Sequence, residues 1–441
     1  MIRLIYNLLF PIGLLVFLPG YLVKMRRRGN YRRNFGQRFG IYSHHARARR
    51  PLHSTTWIHA VSVGEVAIAL KLAARLRQLE PHFHCVLTTT TSTGFAFAEK
   101  EAPEWMQVMY NPLDFWPVVQ RAFAMIRPSR IVLVEAEVWP NLAATARARR
   151  IPLALVNARL SERSERRFRR FRRFVAPTFR ALDLVCAQER RDIERWQSLG
   201  IDRAIIKEVG SIKYDPADVQ RDPTIALEVL RRFGINPDTQ PILLGGSTHE
   251  GEEEILARAF IHLREEFPTL LLLIAPRHVE RTPEIRGKLE ALGLDVARRS
   301  EAETAGMPTP DCLLLDTTGE LRNWYSIATV VFVGKSLTAH GGQNPVEPIL
   351  ADRPVVFGPH MENFASLAHA LVAEDAAIQV PDESALTGAV AELLRDHDDR
   401  VRLVRNAERV LSEHRGATQR TAELLMRLES RASAAQTGSG K

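Results

Sequence analysis

Three stretches set chemically active side chains just after apolar runs. In the first, Trp57–Val61 reads as a buried strand, Ser62-Val63-Gly64-Glu65 as a turn, and Val66–Leu70 as the start of a helix. A glycine at a strand-to-helix turn lets the backbone bend sharply and approach a ligand. The Glu65 carboxylate then sits at a helix N-terminus and at the carboxyl end of a strand, where ligands bind in open α/β sheets. The same position also suits a carboxylate that only complements the helix dipole, an effect of roughly 0.3–1 kcal/mol. In the second stretch, Ile131–Val134 runs into Glu135-Ala136-Glu137, and Pro140 suits the first turn of the next helix. Strand alternation, if it continues, points both carboxylates the same way. In the third, Gly210-Ser211-Ile212-Lys213 follows Ile205–Val209. Glu135 and Glu137 equally suit capping or an internal salt bridge, and a lysine beside a cleft can neutralise an anionic leaving group or a carboxylate, or be an ordinary surface lysine.

The second half repeats the pattern with different residue types. Gly245-Gly246-Ser247-Thr248 follows Ile242–Leu244, and Ser247 and Glu250 have the spacing of a capping box. Pro276-Arg277-His278 follows Leu270–Ile274, and Thr317-Thr318-Gly319-Glu320 follows Cys312–Leu315. Gly334-Lys335-Ser336 follows Val330–Val333, and Gly341-Gly342-Gln343-Asn344-Pro345-Val346-Glu347-Pro348 opens the next helix. Strand ends of this composition, gathered at one rim, read as a nucleotide pocket. His249, His278, His340 and His360 are too spread along the chain for a metal site, and no metal or other cofactor is expected.

The elements that position these residues follow from periodicity. Candidate strands Trp57–Val61, His84–Thr89, Gln107–Tyr110, Ile131–Val134, Pro152–Val156, Leu182–Cys186 and Ile205–Val209 alternate with helical patterns. Around Gly210–Pro223 the pattern breaks into polar residues and prolines, then restarts with Ile242–Leu244, Leu270–Ile274, Cys312–Leu315, Val330–Val333 and Val355–Phe357. Strands alternating with helices make a parallel sheet covered on both faces. The expectation is therefore α/β, with two doubly wound domains facing a cleft: 25–212, then a linker at 213–235, then 236–428 and a disordered tail at 429–441. No glycine-rich dinucleotide fingerprint follows the first strand. The three cysteines are scattered, which excludes a disulfide framework and points to a reducing compartment.

The net charge of +9 belongs to one end. Residues 1–50 carry eleven Lys or Arg and no Asp or Glu, leaving −2 for the rest. Leu4–Val23 is mostly apolar, with Tyr6 and Tyr21 near its ends and a basic cluster from Lys24 to Arg33 behind it. About 20 apolar residues can span a bilayer, and the positive-inside rule puts the body on the cytoplasmic side. Residues 1–24 are thus an expected membrane anchor, spanning or interfacial, whose deletion should leave the site chemistry intact. A second basic feature interleaves Arg163, Arg166, Arg167, Arg169, Arg170, Arg172 and Arg173 with Phe168, Phe171 and Phe174. The phenylalanines have helical spacing and are expected in the core. The arginines form a wet face open to three readings: plain solvation, anionic lipid or nucleic acid. The anchor on the same domain favours lipid, and the two-domain strand-end pattern, far from that run, argues against a nucleic-acid-binding protein.

At these residues the chain resembles the Kdo (3-deoxy-D-manno-octulosonic acid) transferases of lipopolysaccharide synthesis. The stretches with Glu65, Glu135–Asn141, Gly210–Lys213, Pro276–His278 and Gly341–Pro348 match in order over about residues 1–425. Ser211 departs from the family's Asn. The resemblance implies a GT-B architecture, a CMP-Kdo donor in the C-terminal domain and a lipid A precursor, lipid IVA, in the N-terminal domain. It places the enzyme at the cytoplasmic face of the inner membrane, beside anionic lipids. It makes Glu65 the general base of an inverting transfer, Glu135 a support for the reacting sugar and Lys213 a counter-charge. Arg277, His278, Thr318, Gly319, Glu320, Asn344, Pro345, Val346 and Glu347 would line the CMP site. The rival within the fold is another membrane-associated GT-B transferase building a different lipid-linked sugar.

Overall fold

The computed structural model describes residues 2–28, 34–43, 55–215, 222–303 and 309–438. Two compact units divide the chain: residues 1–215 with 414–441, and residues 216–413. The first unit holds seven parallel strands, β1 (Thr55–Ala60), β2 (Cys85–Thr89), β3 (Met106–Tyr110), β4 (Pro128–Val134), β5 (Leu153–Ala158), β6 (Leu184–Ala187) and β7 (Ile206–Glu208), in the order β3-β2-β1-β4-β5-β6-β7. The second holds β8 (Ile242–Thr248), β9 (Leu271–Pro276), β10 (Val296–Arg298), β11 (Cys312–Leu314), β12 (Val330–Val333), β13 (Val355–Phe357) and β14 (Ile378–Gln379), in the order β10-β11-β9-β8-β12-β13-β14.

Both sheets are buried on both faces, as near-continuous apolar strands require. In β4, Ile131 and Leu133 pack on one side with Trp57, Leu153 and Phe123, while Val132 and Val134 pack on the other with Ile58, Leu72 and Val156. The second sheet divides alike, with Leu272 and Phe332 on one face and Leu273 and Val331 on the other. Strand order reverses between β1 and β4 in the first sheet and between β8 and β12 in the second. Those are the points at which such sheets open a crevice for ligands.

The boundaries depart from the sequence reading in four places. The expected linker contains the helix Thr224–Arg232, whose Ala226, Val229 and Leu230 join the second unit's core; residues 216–221 lie outside the described residues. The second domain does not run to 428. The chain returns at His414, and the helix Ala417–Gly438 buries Ala422 and Leu425 in the first unit's core. That helix covers most of the expected disordered tail, because its apolar face has a partner that local composition does not reveal. Two short edge strands, β10 and β14, carried no sequence signal.

Candidate active site

Glu65 opens the helix Val63–Leu79 as half of a capping box. Ser62 Oγ accepts from the Glu65 N–H at 3.4 Å, and the Glu65 carboxylate reaches back to the Val61 N–H at 2.9 Å and the Ser62 hydroxyl at 3.0 Å. Glu65 thus caps the helix and also sits at the β1/β4 reversal. Burial pushes its pKa up against the pull of those hydrogen bonds.

Glu135 lies across that reversal, but the strand does not persist to it. β4 ends at Val134, and Glu135 adopts the left-handed conformation at φ +64°, so simple alternation does not orient Glu135 and Glu137. A non-glycine residue there is strained, and such strain gathers at functional sites. The Glu135 N–H still donates to Val156 O at 2.9 Å, tying the turn to β5. Burial first, then the Glu65 charge, raises the Glu135 pKa to about 6, against the opposing pull of Lys213 and Arg159. Glu137 is raised by burial and by Glu65 as well. The Lys213 ammonium is lowered by burial, and Glu135 opposes that shift. Three carboxylates and two cations therefore share one neighbourhood at the carboxyl ends of β1, β4, β5 and β7.

Lys213 is positioned by partners that the sequence did not announce. Asn157, at φ +50° within β5, accepts through Oδ1 from the Ile212 N–H at 2.9 Å and the Ser211 hydroxyl at 3.3 Å. The Ser211 hydroxyl thus ties this turn to the end of β5. Asp215 accepts from the Gly416 and Thr418 N–H groups at 2.7 and 2.8 Å, capping the returning helix. Signals for these were a polar residue at a strand end and a helix without a visible cap.

In the second unit, a cavity of about 110 Å³ is lined by Ser247, Arg277, Thr318, Gly319, Glu320 and Trp324, among others. Glu320 is held there by Arg299 at 3.0 Å and by the Thr317 hydroxyl at 2.9 Å. His278 is outside the lining, edge-on to His249 with ring centres 5.8 Å apart. Asn344 is also outside it: its Oδ1 accepts from the Val346 N–H at 3.1 Å and its Nδ2 faces Glu347 at 3.4 Å. Pro345 precedes, and Val346 and Glu347 begin, the short helix Val346–Leu350. A larger hollow of about 590 Å³, lined by Gln240, Arg353, His397 and Arg405 among others, opens at the amino-terminal edge of this sheet and contains none of the predicted residues.

Two local expectations are corrected. Ser247 does not cap the next helix. It sits in β8 at φ +54°, and the helix Glu252–Leu263 begins from Gly251 at φ +88°. The residue that organises this turn is Glu252, fully buried, whose carboxylate accepts from the N–H groups of His249, Lys335, Ser336 and Leu337 at 2.7–3.0 Å. The histidines are not all spread either: the His340 and His360 rings lie 4.1 Å apart, beside Glu362.

The basic features also differ from expectation. The helix Ile2–Arg28 is continuous, yet among the described residues no helix is long and apolar enough to cross a membrane. Leu4, Ile5, Leu8, Leu9, Ile12, Leu15 and Val16 are exposed along one face of it. The opposite face is docked: Phe10 stacks on Phe115 at 5.6 Å, and Asn7 and Asn141 exchange side-chain hydrogen bonds at 2.9 Å. Residues 29–33 of the basic cluster lie outside the described residues. The phenylalanine stripe is not core. The helix breaks at Phe171, leaving Phe171 and Phe174 49% and 60% exposed, and only Phe168 packs inward, on Phe179.

Residues 33–216 match a family model described as 3-deoxy-D-manno-octulosonic-acid transferase (kdotransferase). The chain is 34% identical over 396 residues to the 3-deoxy-D-manno-octulosonic acid transferase of Haemophilus influenzae, covering 90% of this chain and 91% of that one. The chain belongs to the Kdo transferase family. The Bordetella pertussis member is 35% identical over 388 residues, covering 86% and 89% of the two chains. A glycosyltransferase structure from Rickettsia africae shares the fold, with a TM-score of 0.53 at 11% identity over 86% of this chain and 99% of that one. The two parallel-sheet units are thus the GT-B architecture, and this Kdo transferase family member is a glycosyltransferase.

Proposed function

We propose that the chain transfers Kdo from CMP-Kdo to a hydroxyl of a lipid A precursor, with inversion, at the cytoplasmic face of the inner membrane. The observation that carries the chemistry is the group at the β1/β4 reversal: Glu65 with Glu135 and Glu137, opposed by Lys213 and Arg159. Glu65 is the general base. Burial makes its carboxylate more basic, and each oxygen has a lone pair beyond the one engaged by Val61 or Ser62 to accept the acceptor's proton. As that proton leaves, the hydroxyl attacks the anomeric carbon on the face opposite CMP, and the bond from that carbon to the CMP phosphate oxygen breaks, its electron pair leaving with CMP. Glu135 stabilises the positive charge that develops on the sugar, and Lys213 steadies the anionic groups of donor and acceptor.

The second unit takes the donor. Arg277 and the Thr318-Gly319-Glu320 turn supply a cation and backbone donors. Their cavity of about 110 Å³ suits one portion of the CMP moiety, since whole small-molecule sites run to ~300–1,000 Å³. His278 and Asn344–Glu347 would meet the remainder. Membrane attachment is interfacial. The helix Ile2–Arg28 offers lipid one apolar face, and Phe171 and Phe174 stand exposed among arginines that fit anionic headgroups.

The test is a transfer assay on the full chain in detergent, with a lipid A precursor and CMP-Kdo, read by mass spectrometry. The wild type should add Kdo. Glu65→Gln should lose ~10²–10⁴-fold of that rate while binding CMP normally. No Kdo addition by a folded wild type overturns the function, and near-wild-type turnover by Glu65→Gln overturns the base.

A further inference from the structure

We propose that His340, His360 and Glu362 form a binding site for one divalent transition-metal ion of the zinc class, on the loops that follow β12 and β13. One ligand atom from each of the three residues can be chosen so that all lie within 4.8 Å of one another. His340 Nδ1 is 3.0 Å and His360 Nδ1 is 3.4 Å from the same oxygen, Glu362 Oε1. A tetrahedral ion with bonds near 2.0–2.1 Å spaces its ligand atoms by ~3.3 Å. Small rotations of exposed side chains would therefore seat the ion without moving the backbone. Two imidazoles and one carboxylate suit zinc, nickel or copper and disfavour magnesium and calcium.

The surroundings resemble the support that metal ligands receive. The Gly341 N–H donates to the other carboxylate oxygen, Glu362 Oε2, at 2.6 Å, fixing the plane of the group. The two loops are already joined by the backbone: His360 N–H donates to Ser336 O at 2.9 Å, and Asn363 N–H to Gly341 O at 2.9 Å. Three protein ligands leave a fourth position open to water or an anionic oxygen.

The position gives the ion a consequence. His340 is followed by Gly341 and Gly342, at φ +121° and +67°, which turn the chain into Gln343–Glu347. An ion bridging His340 to His360 and Glu362 would pin the start of that segment. This second step rests on the donor-site reading above; the metal site does not.

Zinc chloride titrated into the tag-free, chelator-treated full chain, against a chromogenic zinc indicator, should show one tight equivalent. His340→Ala and Glu362→Gln should each weaken it by at least about 10-fold, and His278→Ala should not. Cobalt in place of zinc should give the visible bands of a tetrahedral centre. Magnesium should not compete. Less than one equivalent in the wild type, or unchanged binding in both variants, overturns the site. If the site stands, CMP affinity with and without zinc then tests the loop coupling alone.

Discussion

Replacing Glu135 with Gln should stabilise the first unit at neutral pH and fail to do so in acid. Glu135 stands at about 6 in the folded chain against an ordinary 4.5, chiefly because burial and the neighbouring Glu65 disfavour its charge. The attraction of Lys213 and Arg159 is already contained in that balance. A shift of about 1.5 units corresponds to ~2 kcal/mol. The sign follows from linkage: with the folded pKa raised, the stabilising contribution is complete below about 4.5 and is lost as pH rises through about 6. At pH 7.5 the ionised carboxylate therefore costs the fold ~2 kcal/mol, which an uncharged amide of the same shape avoids.

At 2–4 °C per kcal/mol for a unit of this size, the variant should melt ~4–8 °C higher at pH 7.5 and within about 1 °C of the wild type at pH 4.5. Thermal unfolding of both proteins in detergent, followed by tryptophan fluorescence, measures this directly. An equal gain at both pH values would show that backbone or packing, and not charge, is responsible. A loss at pH 7.5 would refute the clustering of like charges altogether. The same variant should lose transfer activity, because the role proposed for Glu135, stabilising positive charge on the reacting sugar, needs the carboxylate.

Two further outcomes test the rest of the structure. Leu8→Ser with Ile12→Ser removes two side chains from the exposed face of the first helix; at ~1.5–3 kcal/mol each, co-flotation with phosphatidylglycerol vesicles should fall at least about 100-fold, and unchanged flotation would exclude that face from lipid. Glu252→Ala strips the acceptor from four backbone N–H groups; at ~1–3 kcal/mol per buried donor left unpaired, the second unit should unfold at much lower urea, and a wild-type midpoint would mean that the Glu252 carboxylate is dispensable.

The candidate site was legible in the sequence because its residues sit at strand ends. Apolar runs located β1, β4, β8, β9 and β12 to within a few residues. The reversal of strand order then explains why Glu65 and Glu135, 70 positions apart, share one neighbourhood. What local pattern did not carry was burial decided by distant partners. The Phe168-Phe171-Phe174 spacing is helical, yet the helix breaks at Phe171 and two of the rings face outward. Glu252 is one of three successive glutamates, and only the loop after β12 makes it the keystone of its turn. His340 and His360 are 20 positions apart, and adjacent parallel strands bring their loops together. Spacing along the chain reports neither event.

The first helix joins these lessons to function. An apolar segment ahead of a basic cluster reads as a tether, separable from the domain it carries. Its inner face is instead specific. Asn7 accepts from the Trp116 N–H at 3.0 Å and pairs with Asn141. Asn141 is locked by Asp114, which accepts the Asn141 and Leu142 N–H groups at 2.9 Å each. Tyr6 bonds to the same carboxylate. Asn141 lies four residues beyond Glu137, at the start of the helix that ends the Glu135–Glu137 turn. The helix whose Leu8 and Ile12 stand exposed thus also braces the segment that holds the candidate site's carboxylates. Removing residues 1–24 would expose Asp114 and take the Asn7 partner from Asn141, so truncation does not separate the proposed membrane binding from chemistry. Substitutions confined to the exposed apolar side do.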